Sequence, residues 1–354
     1  MDHDILIIGG GIAGASAGAA LASLGSVALW EGEDAFGYHA TGRSAALFEQ
    51  SYGLPPVVAL NRASRAAHEA GGWLGPRGLM LVGCAGEEAT FARDLDAMAL
   101  HESEVATARR TVPILSDAVT RVAVDADAFD IDTDRMLQSY LATIRAGGEV
   151  ATGRRVDGIA PVPGGWSVRA GPAEVTARHV VLAAGPWTDR IAALAGLDPL
   201  GLTPLRRSMA RIAAPGGHDV SGWPMLLGAG ETWYAKPDAG ALIVSPAEED
   251  PSEPMDAFAD DMTLAEGLDR YQNAVTEPVT RPLATWAGLR TFAPDRCLVI
   301  GPAARPGLWW FAGQGGYGFQ TAPAASALLA DLVAGRSPAL DADLVAALDP
   351  GRFA

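Results

Sequence analysis

Apolar residues occur along this chain in short unbroken runs rather than in long alternation. The first, Ile5-Leu6-Ile7-Ile8, has no polar face and predicts a strand buried on both sides in a parallel sheet. An alanine-rich stretch from about Ala13 to Leu24 follows and stops at Gly25, as a buried helix would. Val27-Ala28-Leu29-Trp30 is the next run and closes with Glu31. Strand, helix and strand in so short a span predict a right-handed βαβ crossover between parallel strands. Leu79–Val82, His179–Ala184, Leu298–Gly301 and Leu308–Ala312 read as further strands. Glu87–Ser103 reads as a charged surface helix, and Asp132–Ile144 as a helix starting near Thr133 or Asp134. Trp233–Lys236 and Ala241–Ser245 flank Asp238-Ala239-Gly240, the pattern of a hairpin. Glycines from Gly313 to Gly318 then lead into an alanine-rich helix that ends near Val333.

Strands alternating with helices at both ends, around an antiparallel-looking middle, predict an α/β chain. A Rossmann-type nucleotide domain would be interrupted by an inserted α+β domain on a mixed, largely antiparallel sheet. The boundaries fall at 1–48, 126–205 and 284–354 for the nucleotide domain, and at 49–125 and 206–283 for the inserted, substrate-binding one. Two domains suit 354 residues, which exceed what one core usually holds. The net charge of −16 argues against nucleic acid as a partner, because phosphate binding needs clustered cations. Two cysteines in unrelated contexts, Cys84 and Cys297, build neither a disulfide framework nor a zinc site, and no metal-ligand pattern appears. A cytoplasmic compartment is expected, with a loose association with membranes left open. The uncharged span Ile5–Trp30 is not read as a membrane segment, since Asp2 and Asp4 flank it and glycines punctuate it.

The first glycine cluster carries the candidate chemistry. Gly9-x-Gly11-x-x-Gly14 follows a strand and opens a helix. Gly9 permits the tight turn, Gly11 lets the backbone approach a pyrophosphate, and Gly14 lets helix pack on strand. The helix start offers free N–H groups and a positive dipole end to the phosphates. Glu31 at the end of the second strand would accept the ribose hydroxyls and repel a 2′-phosphate, which disfavours NADP.

Other phrases narrow the choice of dinucleotide. Gly37–Ala46 follows Glu31; later come His179–Gly185 with Pro186-Trp187, Gly288-Leu289-Arg290 with Pro294-Asp295, and Gly313–Gly318. This order resembles the D-amino acid oxidase superfamily of FAD enzymes, and most closely the bacterial D-arginine dehydrogenases. Local matches extend to Asp130–Asp134 and Lys236–Gly240, so the resemblance covers nearly the whole chain. It implies FAD phosphates against Gly9, Gly11, Ile12, Ala13 and Gly14, ribose at Glu31, and adenine beside Val156. Thr41, Gly42, Arg43, Ser44, Ala45 and Ala46 would pass along the cofactor, with Ala184, Gly185 and Trp187 nearby. Gly315, Gly316, Tyr317 and Gly318 would bring a helix N-terminus to the flavin. The substrate carboxylate would meet Arg290, with Tyr52 and Tyr234 close by, Arg207 as a second cation, and Gly316 and Gln320 completing the site. Arg206 beside Arg207 is the alternative for that role.

The resemblance implies oxidation of the Cα–N bond of a D-amino acid, by hydride transfer to flavin N5, giving an imino acid that hydrolyses to a 2-oxo acid and ammonia. FAD is expected to be non-covalent: relatives such as the monomeric sarcosine oxidases tether it through a cysteine, whereas Gly288 and Leu289 stand in the corresponding stretch here. Three departures bear on the substrate. Leu79 replaces an acidic residue, Leu47 replaces a histidine, and Glu49 replaces a small hydroxyl residue. The leucines favour a neutral or apolar side chain, while Glu49 keeps a basic one open. No compelling side-chain base is visible, and no motif specifies the electron acceptor, whether oxygen, quinone or another. Oxidation of a secondary amine such as an N-methyl or imino acid, or a non-catalytic FAD-holding subunit, are the competing readings.

Overall fold

The computed structural model describes residues 1–279 and 281–353. Strand β1 (His3–Ile8), helix α1 (Ile12–Leu21) and strand β2 (Val27–Trp30) form the expected unit, with β1 and β2 parallel. Helix α1 is shorter than expected at its end: Leu24 only closes a turn onto Leu21. On its other side β1 pairs in parallel with Ala173–Leu182, which in turn pairs in parallel with Leu308–Ala312. Ile5, Leu6, Ile7, Val180, Val181 and Leu182 are almost completely buried, because helices cover one face and a β-meander the other. On the first face α1 packs against the helices Thr133–Arg145 and Gly318–Val333. On the second, Gly158–Val162 and Gly165–Ala170 fold antiparallel onto the start of Ala173–Leu182. These strands, with Glu149–Ala151 and Val299–Pro302, make an eight-stranded sheet.

Nine further strands form a second sheet, antiparallel except where Leu79–Cys84 runs parallel to Met225–Gly228. The hairpin lies within it as Tyr234–Asp238 and Ala241–Ser245, joined by Ala239-Gly240 with φ of 46° and 78°. Positive φ at both central residues is the turn geometry that matches strand twist. Leu47–Phe48, Leu74–Pro76 and Phe129–Ile131 make a third, small sheet.

Two expectations are corrected. The span Glu87–Ser103 is not one helix. It is helical over Glu88–Ala97, turns at Ala99, where φ is 52°, and continues as the edge strand His101–Ser103. The expected nucleotide domain includes the segment from residue 284, yet Ala284–Phe292 pairs along its length with Thr203–Ala213 in the nine-stranded sheet. The crossing back to the nucleotide side therefore comes after Phe292. Ala354, the last residue of that expected domain, lies outside the described residues.

Candidate active site

One cleft runs from the carboxyl ends of the parallel strands to the face of the nine-stranded sheet, enclosing about 2080 Å³ of empty space with its open mouth included. Open α/β sheets bind ligands at such strand ends. At the nucleotide end, Gly9, Gly11, Ile12, Ala13, Glu31 and Val156 line it. A Cβ on Gly9, where φ is +114°, would lie 2.4 Å from the Ala183 carbonyl oxygen, and one on Gly14 would lie 1.8 Å from that of Gly9. Only bare backbone fits either position, which is what lets α1 seat on β1 with its N-terminus facing the cleft. Gly11 has no side chain to cap the helix and no acidic residue occupies the first turn of α1, so apart from the Ile12 N–H the helix start faces an external anion. Thr41 Oγ1 accepts the Ile12 N–H at 3.0 Å and ties the following loop to this turn. The Glu31 carboxylate accepts the N–H of Gly10 at 2.6 Å and of Glu33 at 2.8 Å, which fixes its orientation at the end of β2.

Of the remaining candidates for the cofactor, Thr41, Arg43, Ser44, Ala45, Ala46, Ala184, Gly185, Trp187, Gly315, Gly316 and Gly318 also line the cleft. Three do not. Gly14 lies beneath α1, Gly42 closes a turn by donating to the Gly37 carbonyl at 2.7 Å, and Tyr317 packs its ring against Tyr52 and Phe292. Arg43 is largely spent on the protein itself: Nη1 donates to the carbonyls of Ala257 and Ala287, both at 2.9 Å, and Nη2 pairs with Asp256.

The other end of the cleft brings Arg290, Tyr52, Tyr234, Arg207, Gly316 and Gln320 together. Arg290 projects from the last strand of the nine-stranded sheet, with Nη1 3.0 Å from where a Gly316 Cβ would be. No carboxylate lies within 4.0 Å of it among the described residues. Burial works against its charge, but Tyr52, Tyr234 and Glu231 outweigh that and raise its pKa. Arg207, from the neighbouring strand, differs: its Nε donates to the Glu248 carbonyl at 2.9 Å and its Nη2 lies 3.4 Å from Glu249. Burial, then the nearby Arg290, lower its pKa. Alternation along that strand decides between the two arginines, since Arg206 does not line the cleft and pairs with Asp250 at 3.0 Å.

Tyr52 donates its hydroxyl to Glu231 at 2.8 Å, and burial raises its pKa further. The Tyr234 hydroxyl is buried without a partner. Glu231 was missed by sequence reasoning; it follows a Gly-Ala-Gly turn with nothing to mark it, and only the fold carries it to Tyr52. Gln320 is committed through its side-chain oxygen, which accepts the Glu49 N–H at 2.7 Å. Leu47, Leu79 and Glu49, the three departures noted above, all line this end.

A glycine-cradled βαβ unit opening onto a cleft, roofed by a largely antiparallel sheet that carries an arginine with no carboxylate within 4.0 Å among the described residues, defines a dinucleotide-binding protein with room for an anionic ligand. The family model described as FAD dependent oxidoreductase (DAO) matches residues 4–332, and the chain belongs to that family. FAD is therefore its cofactor, and the bare-backbone cradle and uncapped helix start fit a pyrophosphate. Among curated relatives, D-amino acid dehydrogenase 2 of Ralstonia nicotianae is 30% identical over 201 residues, 54% of this chain and 44% of the relative. Glycine oxidase of Pseudomonas aeruginosa is 27% identical over 259 residues, 68% of this chain and 66% of the relative. These alignments span less than two thirds of either relative. Glycine oxidase from Geobacillus kaustophilus shares the fold with a TM-score of 0.82 at 22% identity, covering 97% of both chains. L-proline dehydrogenase from P. horikoshii does so with a TM-score of 0.83 at 21% identity, over 99% of this chain and 97% of that one. No described helix is long and apolar enough to cross a membrane.

Proposed function

We propose that this protein oxidises the Cα–N bond of a D-amino acid, releasing a 2-oxo acid and ammonia once the imine hydrolyses. The observation that carries the reading is Arg290, a guanidinium at the inner end of the cofactor cleft with no carboxylate within 4.0 Å among the described residues, Glu231 acting on it only from farther off. Such a group calls for an anionic ligand, and its planar fork matches a carboxylate in two parallel hydrogen bonds. Tyr234, with its hydroxyl unpartnered, supplies a further donor. Tyr52, held by Glu231, braces the same side. Arg207 adds positive field from behind while its own donors stay on Glu248 and Glu249. A cofactor holder without substrate would have no use for this clamp.

FAD, when bound, supplies the acceptor for the hydride that leaves Cα. The protein's share is placement: Gly9 to Gly14 for the pyrophosphate, Glu31 for the ribose, Val156 beside the adenine, and the start of Gly318–Val333 for negative charge on the reduced ring. That helix has no acidic residue in its first turn. Neither cysteine lines the cleft, which supports a dissociable cofactor.

The test is anaerobic mixing of the holoprotein with D-, L- and N-methyl amino acids, following loss of flavin absorbance. Rapid bleaching by D-amino acids is expected. Arg290→Met should stay yellow but bleach about 100- to 1000-fold less efficiently, the size of losing a bidentate charged pair. Bleaching confined to N-methyl or imino acids would move the assignment to secondary amines, and none by any amine would refute it.

A further inference from the structure

Beyond the carboxylate clamp, the cleft ends in a chamber walled by Leu47, Leu79, Met98, Met209, Met225 and Leu227. Glu49 opens onto this apolar wall, while Glu231, the other acidic residue at this end, is engaged by the Tyr52 hydroxyl at 2.8 Å. The Glu49 side of the loop is held firmly, because its backbone N–H donates to Gln320 and its carbonyl lies 3.5 Å from Asn61 Nδ2. Glu49 is 3% exposed; Oε1 accepts the Ser51 N–H at 2.9 Å, while Oε2 is buried and has no partner. A buried polar atom without a partner is costly, and a built site is one reason for keeping it.

The charge that acts on Glu49 is acidic rather than cationic. Burial is the main influence on its carboxyl, pushing the pKa up to about 7; the Ser51 N–H opposes this, and Asp125 adds to it. Asp125 pairs in register with Leu79 on the chamber wall, and neither Arg290 nor Arg207 acts on Glu49. The other titratable groups packed around the loop are His68, whose ring meets the Gln320 carbonyl at 3.0 Å, and Tyr52. Burial lowers the pKa of His68 and raises that of Tyr52, so both stay neutral near pH 7.

We propose that Glu49 selects the substrate side chain: protonated, it completes a neutral chamber for an unbranched apolar chain, and ionised, it receives a terminal ammonium on a chain of the same length. An ammonium entering the chamber would otherwise be unpaired among leucines and methionines, a cost only a facing carboxylate removes. The inference rests on the amine-oxidation reading above.

The experiment compares kcat/KM for D-lysine and D-norleucine on the holoenzyme as a function of pH. The two share the α-amine, the carboxylate and the flavin, so ionisations at the reacting end cancel in their ratio. The lysine ammonium stays charged throughout, its pKa being about 10.4. The lysine-to-norleucine ratio should rise about tenfold between about pH 6 and about pH 8, following ionisation of one group near 7. In Glu49→Gln it should be flat and at least about tenfold lower than in the parent at the upper end of that range. If norleucine turns over but the parent's ratio does not move with pH, the selector role is overturned and amine oxidation stands. If neither amino acid bleaches the flavin, the selector role is overturned, and bleaching by any other amine of the panel above shows that amine oxidation stands without it. The parent's pH profile decides the matter even if the variant does not fold.

Discussion

Glu49 also leaves a signature on stability, because burial changes its proton affinity between the folded and unfolded chains. Its carboxyl titrates near 7 in the fold against 4.5 ordinarily. Across that window the unfolded chain gives up the proton while the folded one keeps it, so the unfolded state gains as pH rises. Stability linked to this residue is therefore complete below the lower value, falls through the window and levels off above the upper one. The loss amounts to at most about 3 kcal/mol. Glu49→Gln removes the titration, and its melting temperature relative to the parent holoprotein should climb between about pH 5 and about pH 8. A gap that stays constant would show that Glu49 does not carry the shifted group. Other side chains in the cleft were less legible from sequence. Arg290 stood out through its surrounding phrase, whereas Arg43, in an equally clear phrase, serves mainly to hold carbonyls of two other segments. A motif marks a position along the chain, and only the fold shows what the guanidinium meets.

At the scale of the element, the βαβ unit is the most constrained part of the molecule, because its spacing is set by backbone contact rather than by side chains. Gly14→Val places its Cβ where the Gly9 carbonyl oxygen already stands, 1.8 Å away. Helix α1 would have to lift from β1 and take its N-terminus with it. We expect loss of at least about 1–3 kcal/mol and purification largely without FAD. The flavin-to-protein absorbance ratio and the melting temperature report this together, and a fully loaded variant would contradict it. The runs Ile5–Ile8 and Val27–Trp30 were readable because burial on both faces of a parallel strand leaves no polar position. The reading of Glu87–Ser103 failed for a local reason. Its charges continue past the helix end, but Met98 and Ala99 leave helical geometry and, after Leu100, His101–Ser103 finds a strand partner in Val119–Asp125.

Across the whole molecule, Asp130 is an ionic joint between the small sheet and the nine-stranded one. Its carboxylate accepts from Lys236 of the hairpin at 2.7 Å and from Arg77 at 2.6 Å. Lys236 is only 8% exposed, so removing its partner strands a nearly buried cation. Asp130→Asn should cost about 2–4 kcal/mol, somewhat less than a fully buried pair because Asp130 keeps some contact with water. It should lower the denaturation midpoint while leaving the flavin spectrum of the folded fraction unchanged; an unchanged midpoint would show that the joint contributes nothing. The sequence by itself determined the nucleotide unit and the strand and helix types at both ends, since each depends on local periodicity or a short motif, whereas the carboxylate clamp was legible only through the family resemblance. Tertiary structure alone decided that Ala284–Phe292 belongs to the second sheet, that Arg207 rather than Arg206 faces the cleft, and that Glu231 reaches Tyr52. Those outcomes depend on strand pairing and on which side of a strand faces the cleft, both set by contacts between residues far apart in the chain.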